Sequence, residues 1–302
     1  MTAADLAPQE LRILVAVADE GGFSAAAARL GATQSAVSHA VRGIERKLGA
    51  VLFERGRFGA RPTPAGERAA AHARRVLRML RAMAADVRAA DTGEVRGALR
   101  IAAFRSAALH LLPPALERLA ARHSGIEVSV TVVRELGAGV AGEVAAGRAD
   151  LGIATLSGPP PAGLVGAPLL EEPYSLVHPA GHPDPRALPL VDWAENCGSY
   201  TRDWWAAQDW IPAATVRAED DGAVLAMVAG GLGMAIMPAL SLTAPPPAVE
   251  ITGLGPGRPH RSVGYVTTPE LASTTAVRAM IRTLRSLAQP SLERTEAQLK
   301  AV

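Results

Sequence analysis

Residues 33–55 read TQSAVSHAVRGIERKLGAVLFER, and their spacing gives them two faces. Val37, Val41, Ile44 and Leu48 recur at i, i+4, i+7 and i+11, so a helix over residues 34–48 gathers them on one side. Ser35, Ser38, His39, Arg42 and Arg46 fall on the other. Thr33 is placed to cap this helix and Gly49 to end it. Upstream, Ser24 is expected to cap a shorter helix, Ala25 to Leu30, stopped by Gly31. Before it, Leu11, Leu14, Val15 and Ala18 share the face of a first helix that ends at Gly21-Gly22. Two short helices joined by a turn of about three residues, the second polar and basic on its outside, describe a helix-turn-helix. Downstream, residues 51–62 hold two short apolar or basic runs around Gly56 and Gly59, a hairpin placed as the wing of a winged helix.

Thr63 and Pro64 then open a long helix predicted to reach about Ala90. Within it Ala69, Ala73, Val76, Leu80, Met83 and Val87 follow 4-3-4-3-4 spacing, with Arg68, Arg74, Arg75, Arg78 and Arg81 off the stripe. That is a coiled-coil seam, and a lone helix cannot bury one. Val76, Leu80, Met83 and Val87 are therefore the expected dimer contacts.

Charge divides the chain the same way. Residues 1–90 hold 14 Lys and Arg against 8 Asp and Glu, a balance of +6; residues 91–302 hold 17 against 21, a balance of −4. A basic head on a mildly acidic body suggests that the head meets a polyanion and the body does something else. At 302 residues and 49% hydrophobic, the chain is long enough for two domains and too apolar for a disordered one. Its one cysteine, Cys197, excludes a disulfide framework and a four-cysteine zinc site. No basic-then-apolar leader opens the sequence, and the uncharged stretch 222–249 is broken by Gly230, Gly231, Gly233 and Pro245-Pro246-Pro247. The expectation is a cytoplasmic protein with no membrane partner.

After Gly93 the period changes. Strands are predicted at 99–104, 127–133, 150–155, 174–178, 216–219, 234–237 and 263–266. Helices are predicted at 109–122, 140–146 and 275–287. Such alternation predicts a parallel sheet covered by helices, whose ligands sit beyond the carboxyl ends of the strands. The loops to search are therefore 104–107, 134–136 and 155–157, then 199–202 and 220–222.

The order of these parts resembles the LysR-type transcriptional regulators over essentially the whole chain. The resemblance rests on residues 23–30 (FSAAAARL), on 33–55, on the Arg61-Pro62-Thr63-Pro64-Ala65-Gly66 junction, on 97–102 (GALRIA), on 147–153 (GRADLGI) and on 227–238 (MVAGGLGMAIMP). It implies a winged helix-turn-helix N-terminal domain (1–62), a long linker helix (63–92) and a two-lobed α/β, periplasmic-binding-protein-like effector domain (93–302). Lobe I would span about 93–162 and 266–302, lobe II about 163–265. It also implies double-stranded operator DNA, a small-molecule effector, self-association into dimers and then a homotetramer, and RNA polymerase as a candidate further partner. No cofactor or metal is implied.

Carried over residue by residue, the DNA-binding positions are Ser24, Thr33, Gln34, Ser35, Ser38, His39 and Arg42, with Arg55, Arg57 and Arg61 on the wing. Arg42 suits guanine or phosphate, Gln34 adenine, and the hydroxyls phosphate oxygens. Many members have Pro at position 35 and Arg at 39, so Ser35 and His39 leave the base preference unread. The effector positions are Arg105, Ser106, Arg134, Thr155, Tyr200, Thr201, Arg202 and Asp221. Arginines and hydroxyls beside a helix N-terminus favour a small anionic effector, placed between Ser106 and Thr201, and Asp220 and Asp221 argue that it also carries a positive or hydroxylated group.

Other readings compete. His178 and His182 have i, i+4 spacing, but flanking prolines and the lack of a third ligand favour a structural turn over zinc. Peroxide-responsive members use a cysteine in this part of the lobe; the alignment puts Tyr200 at that position, which leaves Cys197 as an inert thiol. Trp193, Trp204, Trp205 and Trp210 read as lobe packing rather than a ligand wall. No nucleophile elbow or phosphate loop supports an enzyme. A ligand-independent architectural DNA binder or a solute-binding sensor module stays open at this level.

Overall fold

The computed structural model describes residues 5–56, 59–195 and 199–300, with side chains for all of these but Arg55, Thr92, Ser199, Tyr200, Arg202 and 289–300. Arg57 and Cys197 lie outside the described residues, as do the side chains of Arg55, Tyr200 and Arg202.

The head is α1 (Pro8–Glu20), α2 (Phe23–Leu30) and α3 (Gln34–Leu48), followed by a hairpin of β1 (Phe53–Gly56) and β2 (Gly59–Pro62). Thr33 caps α3 as expected, its hydroxyl accepting from the Ala36 N–H at 3.2 Å. Ser24 caps nothing: α2 starts two residues earlier than expected, at Phe23 with Gly22 as its N-cap, and leaves Ser24 exposed in its first turn. Val37, Val41 and Ile44 are buried with Leu14, Val17, Ala26 and Leu52. Leu48, expected in that core, is 37% exposed because α3 outruns the head there; Ser38, expected outside, is only 5% exposed at the flank of the buried stripe. The Phe23 and Phe53 rings meet edge-on, 6.2 Å apart, and tie the wing's base to α2.

The junction to the linker needs a missing side chain. A Cβ on Gly66 would collide with the Leu52 carbonyl oxygen. Thr63 holds the same corner, donating its hydroxyl to the Val51 carbonyl at 2.8 Å and accepting from the Gly66 N–H at 3.0 Å. From here α4 (Pro64–Thr92) runs 29 residues, about 44 Å at 1.5 Å per residue. Its first half packs Ala73 and Leu77 into the head's core. Beyond that, Val76, Leu80, Met83 and Val87 stand 40–66% exposed in a row. Among the described residues these four share one side of α4 and stay exposed.

The body is built on β3 (Arg96–Ala103), β4 (Gly125–Val132), β5 (Leu151–Leu156), β6 (Val165–Pro179), β7 (Leu190–Trp193), β8 (Ala214–Ala218), β9 (Ala235–Pro238), β10 (Val249–Gly253) and β11 (His260–Thr267). Its helices are α5 (Leu112–Arg122), α6 (Gly139–Ala145), α7 (Ser199–Ala206), α8 (Asp221–Ala229), α9 (Pro269–Ala272) and α10 (Thr275–Lys300), with a π-helical turn at Ala107–Leu111. The main sheet runs β10-β6-β11-β5-β3-β4, with β9 also on β6. It is mixed rather than parallel: β3 is parallel to β4 and β5, while β11 is antiparallel to both β5 and β6.

Strand β6 makes two lobes from one sheet. Residues 165–173 pair with β11, and residues 174–179 pair with β9 and β10. Because β11 bonds along β5, residues 260–265 and the first half of β6 belong with the first lobe, not the second as expected. The crossing strands meet where the Tyr174 N–H donates to the Pro259 carbonyl at 3.0 Å. Among the described residues no helix is long and apolar enough to cross a membrane; the uncharged stretch resolves into α8, β9 and a 3-10 turn.

Candidate DNA-binding face and interlobe cleft

On α3 the outward residues form one surface. Gln34, Ser35, His39, Arg42 and Arg46 are exposed, while Val37, Val41 and Ile44 hold the other side of the helix in the core. Arg61 is exposed on β2. The rigidity of this face comes from behind it. The Glu45 carboxylate accepts from the Leu52 N–H at 2.8 Å, tying the end of α3 to the wing. Lys47 is spent inside the head, donating to Glu10 at 2.8 Å and to the Asp5 carbonyl at 3.0 Å. That bond holds the Glu10 carboxyl below its usual range, helped by the Ala7 N–H. The Thr33 hydroxyl is within 3.1 Å of the Ser35 hydroxyl, so both are partly engaged by the cap.

Between the lobes lies a cavity of about 700 Å³, walled by Glu135, Thr155, Ser157, Tyr174, Glu195 and Arg261 among others. Of the eight expected effector residues, Thr155 is on this wall. Glu135 was within a loop singled out for its position; Tyr174, Glu195 and Arg261 were missed, because crossing strands and the second lobe's fold bring them in. Glu135 accepts from the Thr155 N–H at 3.0 Å and the Val140 N–H at 3.4 Å. Burial nevertheless pushes its carboxyl above the usual range. Arg261 donates to Glu172 at 2.7 Å, and its guanidinium lies 4.7 Å from the centre of the Phe104 ring.

Of the three arginines expected to attract an anion, Arg105 and Arg134 are paired across the cleft, and the side chain of Arg202 lies outside the described residues. Arg105 meets Asp221 at 2.5 Å, and Asp221 in turn accepts from the Ser241 hydroxyl at 2.7 Å. Arg134 meets Glu195 at 3.0 Å and Glu219 at 3.5 Å. These pairs join one lobe to the other and balance the charge of both arginines. Ser106 is 3% exposed at the start of the π-helical turn. Thr201 does not follow a strand directly: it is the third residue of α7, fully buried, its hydroxyl without a hydrogen-bond partner among the described residues.

The histidine pair does not converge. His178 is buried in β6 with Nε2 2.8 Å from the Thr252 hydroxyl, while His182 accepts from the Asp184 N–H at 3.3 Å. Among the described residues no cluster of three or more His, Cys, Asp or Glu is placed for a metal ion. Trp193 packs in one core of the second lobe, and Trp204, Trp205 and Trp210 in the other.

A family model described as the LysR substrate binding domain matches residues 92–289, and one for the bacterial regulatory helix-turn-helix protein, lysR family, matches residues 8–67. The chain belongs to the LysR family of transcriptional regulators. This LysR-type regulator is 36% identical over 290 residues to the probable HTH-type transcriptional regulator LrrA of Synechococcus elongatus, covering 92% of this chain and 96% of that one. Its fold is that of a full-length OxyR variant from Pseudomonas aeruginosa, at TM-score 0.71 and 24% identity, with 93% of this chain and 95% of the other covered. It is equally that of full-length CbnR complexed with target DNA, at TM-score 0.65 and 22% identity, with 93% and 99% covered. The regulator thus pairs a DNA-binding head with an effector-binding body, and its relatives are transcriptional regulators.

Proposed function

We propose that the regulator reads duplex DNA with the outer face of α3, where Gln34, Ser35, His39 and Arg42 reach base edges and phosphates. Thr33, Ser24 and the wing arginines Arg55, Arg57 and Arg61 serve the backbone. The observation that carries this is the division of α3 into a buried apolar side and an exposed polar side free of acidic residues. The buried Ser38 supports the helix and does not face DNA. Two copies join through Val76, Leu80, Met83 and Val87, and dimers pair into a tetramer that works in the cytoplasm, with RNA polymerase as a further partner. The protein acts by binding rather than by catalysis.

The effector site is the cleft between the lobes. With Arg105, Arg134 and Arg261 all paired, and with Glu135 and Glu195 on the wall, a compact ligand bearing an amino or hydroxyl group suits it better than a simple anion. Such a ligand would act by shifting how closely the lobes, held by the Arg105–Asp221 and Arg134–Glu195 pairs, sit together.

Genome-wide binding of the protein supplies its operator, and Arg42→Ala tests the face. The variant should weaken specific operator binding by about 1–3 kcal/mol with the fold and dimer unchanged. Operator affinity equal to the parent's at moderate salt removes α3's outer face from the interface.

A further inference from the structure

A second pocket, of about 530 Å³, lies where α1 and α2 of the head, the middle of α4, and the first lobe of the body meet. Its wall carries six arginines, Arg29, Arg74, Arg78, Arg81, Arg100 and Arg148, and a single carboxylate, Asp19. No residue of α3 contributes to it, so it is separate from the candidate DNA face, and it is not the cleft between the lobes. Like charges gather at one point only where something balances them.

The carboxylates in reach do not suffice. Asp19 serves both Arg29 and Arg74, and Glu20 reaches Arg29 at 3.0 Å. Asp150 serves both Arg78 and Arg100, each at 2.9 Å. Glu143 takes Arg148 at 2.6 Å. Six guanidiniums thus share four ion-paired carboxylates, while Glu67 acts on Arg148 and Glu270 on Arg78 only at longer range. Arg81, exposed at the pocket's mouth, has no hydrogen-bond or ion-pair partner among the described residues. Deeper in, Arg78 is 5% exposed and its Nη2 is buried without a partner, as is Nε of Arg74. Burial, reinforced by Arg100, Arg75 and Arg81, pulls the Arg78 guanidinium down to about 10 against the attraction of Asp150.

We propose that this junction pocket binds a small molecule carrying a phosphoryl group. Guanidiniums that outnumber their ion-paired carboxylates suit a multiply charged phosphate better than a monocarboxylate. Converging guanidinium forks offer the paired N–H donors that phosphate oxygens take up. The volume lies in the ordinary range for small-molecule sites. Because its wall draws on head, linker and body together, an occupant joins all three and holds the head in one orientation on the body. The regulator then answers to two signals, one in the cleft and one at the junction.

The test is calorimetric titration of the full-length protein with inorganic pyrophosphate and inorganic phosphate at constant ionic strength, with chloride as the control. Saturable binding is expected, weakened at least tenfold in Arg81→Ala/Arg148→Ala. Both side chains are exposed, so the variant should keep the parent's circular dichroism and melting; should it misfold, the single change Arg81→Gln takes its place with the same expectation. Equal affinity in parent and variant overturns the proposal. So does loss of pyrophosphate binding in Arg42→Ala with none in Arg81→Ala/Arg148→Ala, since the anion then sits on the DNA face. A uniform loss of affinity for duplexes of any sequence in Arg81→Ala/Arg148→Ala also overturns it, because the arginines then hold DNA phosphates.

Discussion

Replacing Asp150 should cost more than replacing either arginine that it holds. Asp150 is 6% exposed and sits immediately before β5. Its carboxylate lies 2.9 Å from Arg78 Nε as an ion pair and accepts from Arg100 Nη2 at 2.9 Å and Nε at 3.3 Å and from the Arg100 backbone N–H at 2.8 Å. In Asp150→Ala the Arg78 guanidinium keeps only its bond to the Gly147 carbonyl. Removing one partner of a buried pair leaves an uncompensated charge, a loss of about 3–5 kcal/mol. Arg78→Met is the gentler cut. It leaves Asp150 on Arg100, which is 33% exposed and keeps its charge hydrated, and it removes a partly unsatisfied buried cation, so about 1–2 kcal/mol is expected. With Arg78 gone, the further change at Asp150 strands no buried charge, only the half-buried Arg100 and its backbone N–H. The double variant should therefore cost no more than Asp150→Ala alone, a coupling of about 1–2 kcal/mol. Urea unfolding of the four proteins, with midpoint and slope recorded for each, measures all three quantities. A loss below about 1 kcal/mol for Asp150→Ala, or additive single variants, would refute the view that this carboxylate joins the linker helix to the body.

Leu80→Asp places a charge in the middle of the exposed seam and should weaken self-association of the full-length protein by about a hundredfold or more, read by sedimentation; an unchanged dimer means that the seam is not the interface. Gly66→Ala drives a Cβ into the Leu52 carbonyl oxygen, so at least about 2–3 kcal/mol of head stability should be lost, and a neutral result would show that the corner between wing and linker can open. For Glu135 the folded carboxyl titrates above its ordinary value of 4.5 because of burial. Its contribution to stability is thus complete below that value and is lost as pH rises through the raised one. Glu135→Gln should accordingly gain on the parent as pH goes from about 4 to about 7, and melting curves in parallel at each pH would expose the absence of this linkage.

How far the molecule could be read without coordinates depends on how local its determinants are. The head was legible almost to the residue, because caps, glycine stops and a 3.6-residue period act over a few positions. Thr33, Gly49 and the Val37, Val41, Ile44 stripe each specify their own turn of helix. Ser24 and Leu48 show where that logic ends: the start of α2 and the reach of α3 past the head are set by what packs beside them. The seam on α4 was equally visible, since seven-residue spacing belongs to a single helix.

The interlobe cleft was not legible in this way. Its wall joins Glu135, Tyr174, Glu195 and Arg261, which are far apart in the chain and are brought together by β6 crossing from one lobe to the other and by β11 returning antiparallel. Strand order and direction come from long-range pairing, to which local periodicity is blind. The same holds for charge. The sequence by itself determined a basic head, a polar outer face on α3, a dimerising helix and a two-part body. Which arginines stay free was decided only by the tertiary structure. Arg105 and Arg134, which read as lures for an anion, are spent on carboxylates from the other lobe. Arg78 and Arg81, which the spacing placed only off the seam, stand at a junction where arginines outnumber their ion-paired partners. The physical reason is that an ion pair forms over a few ångströms of space, a distance that sequence separation does not record.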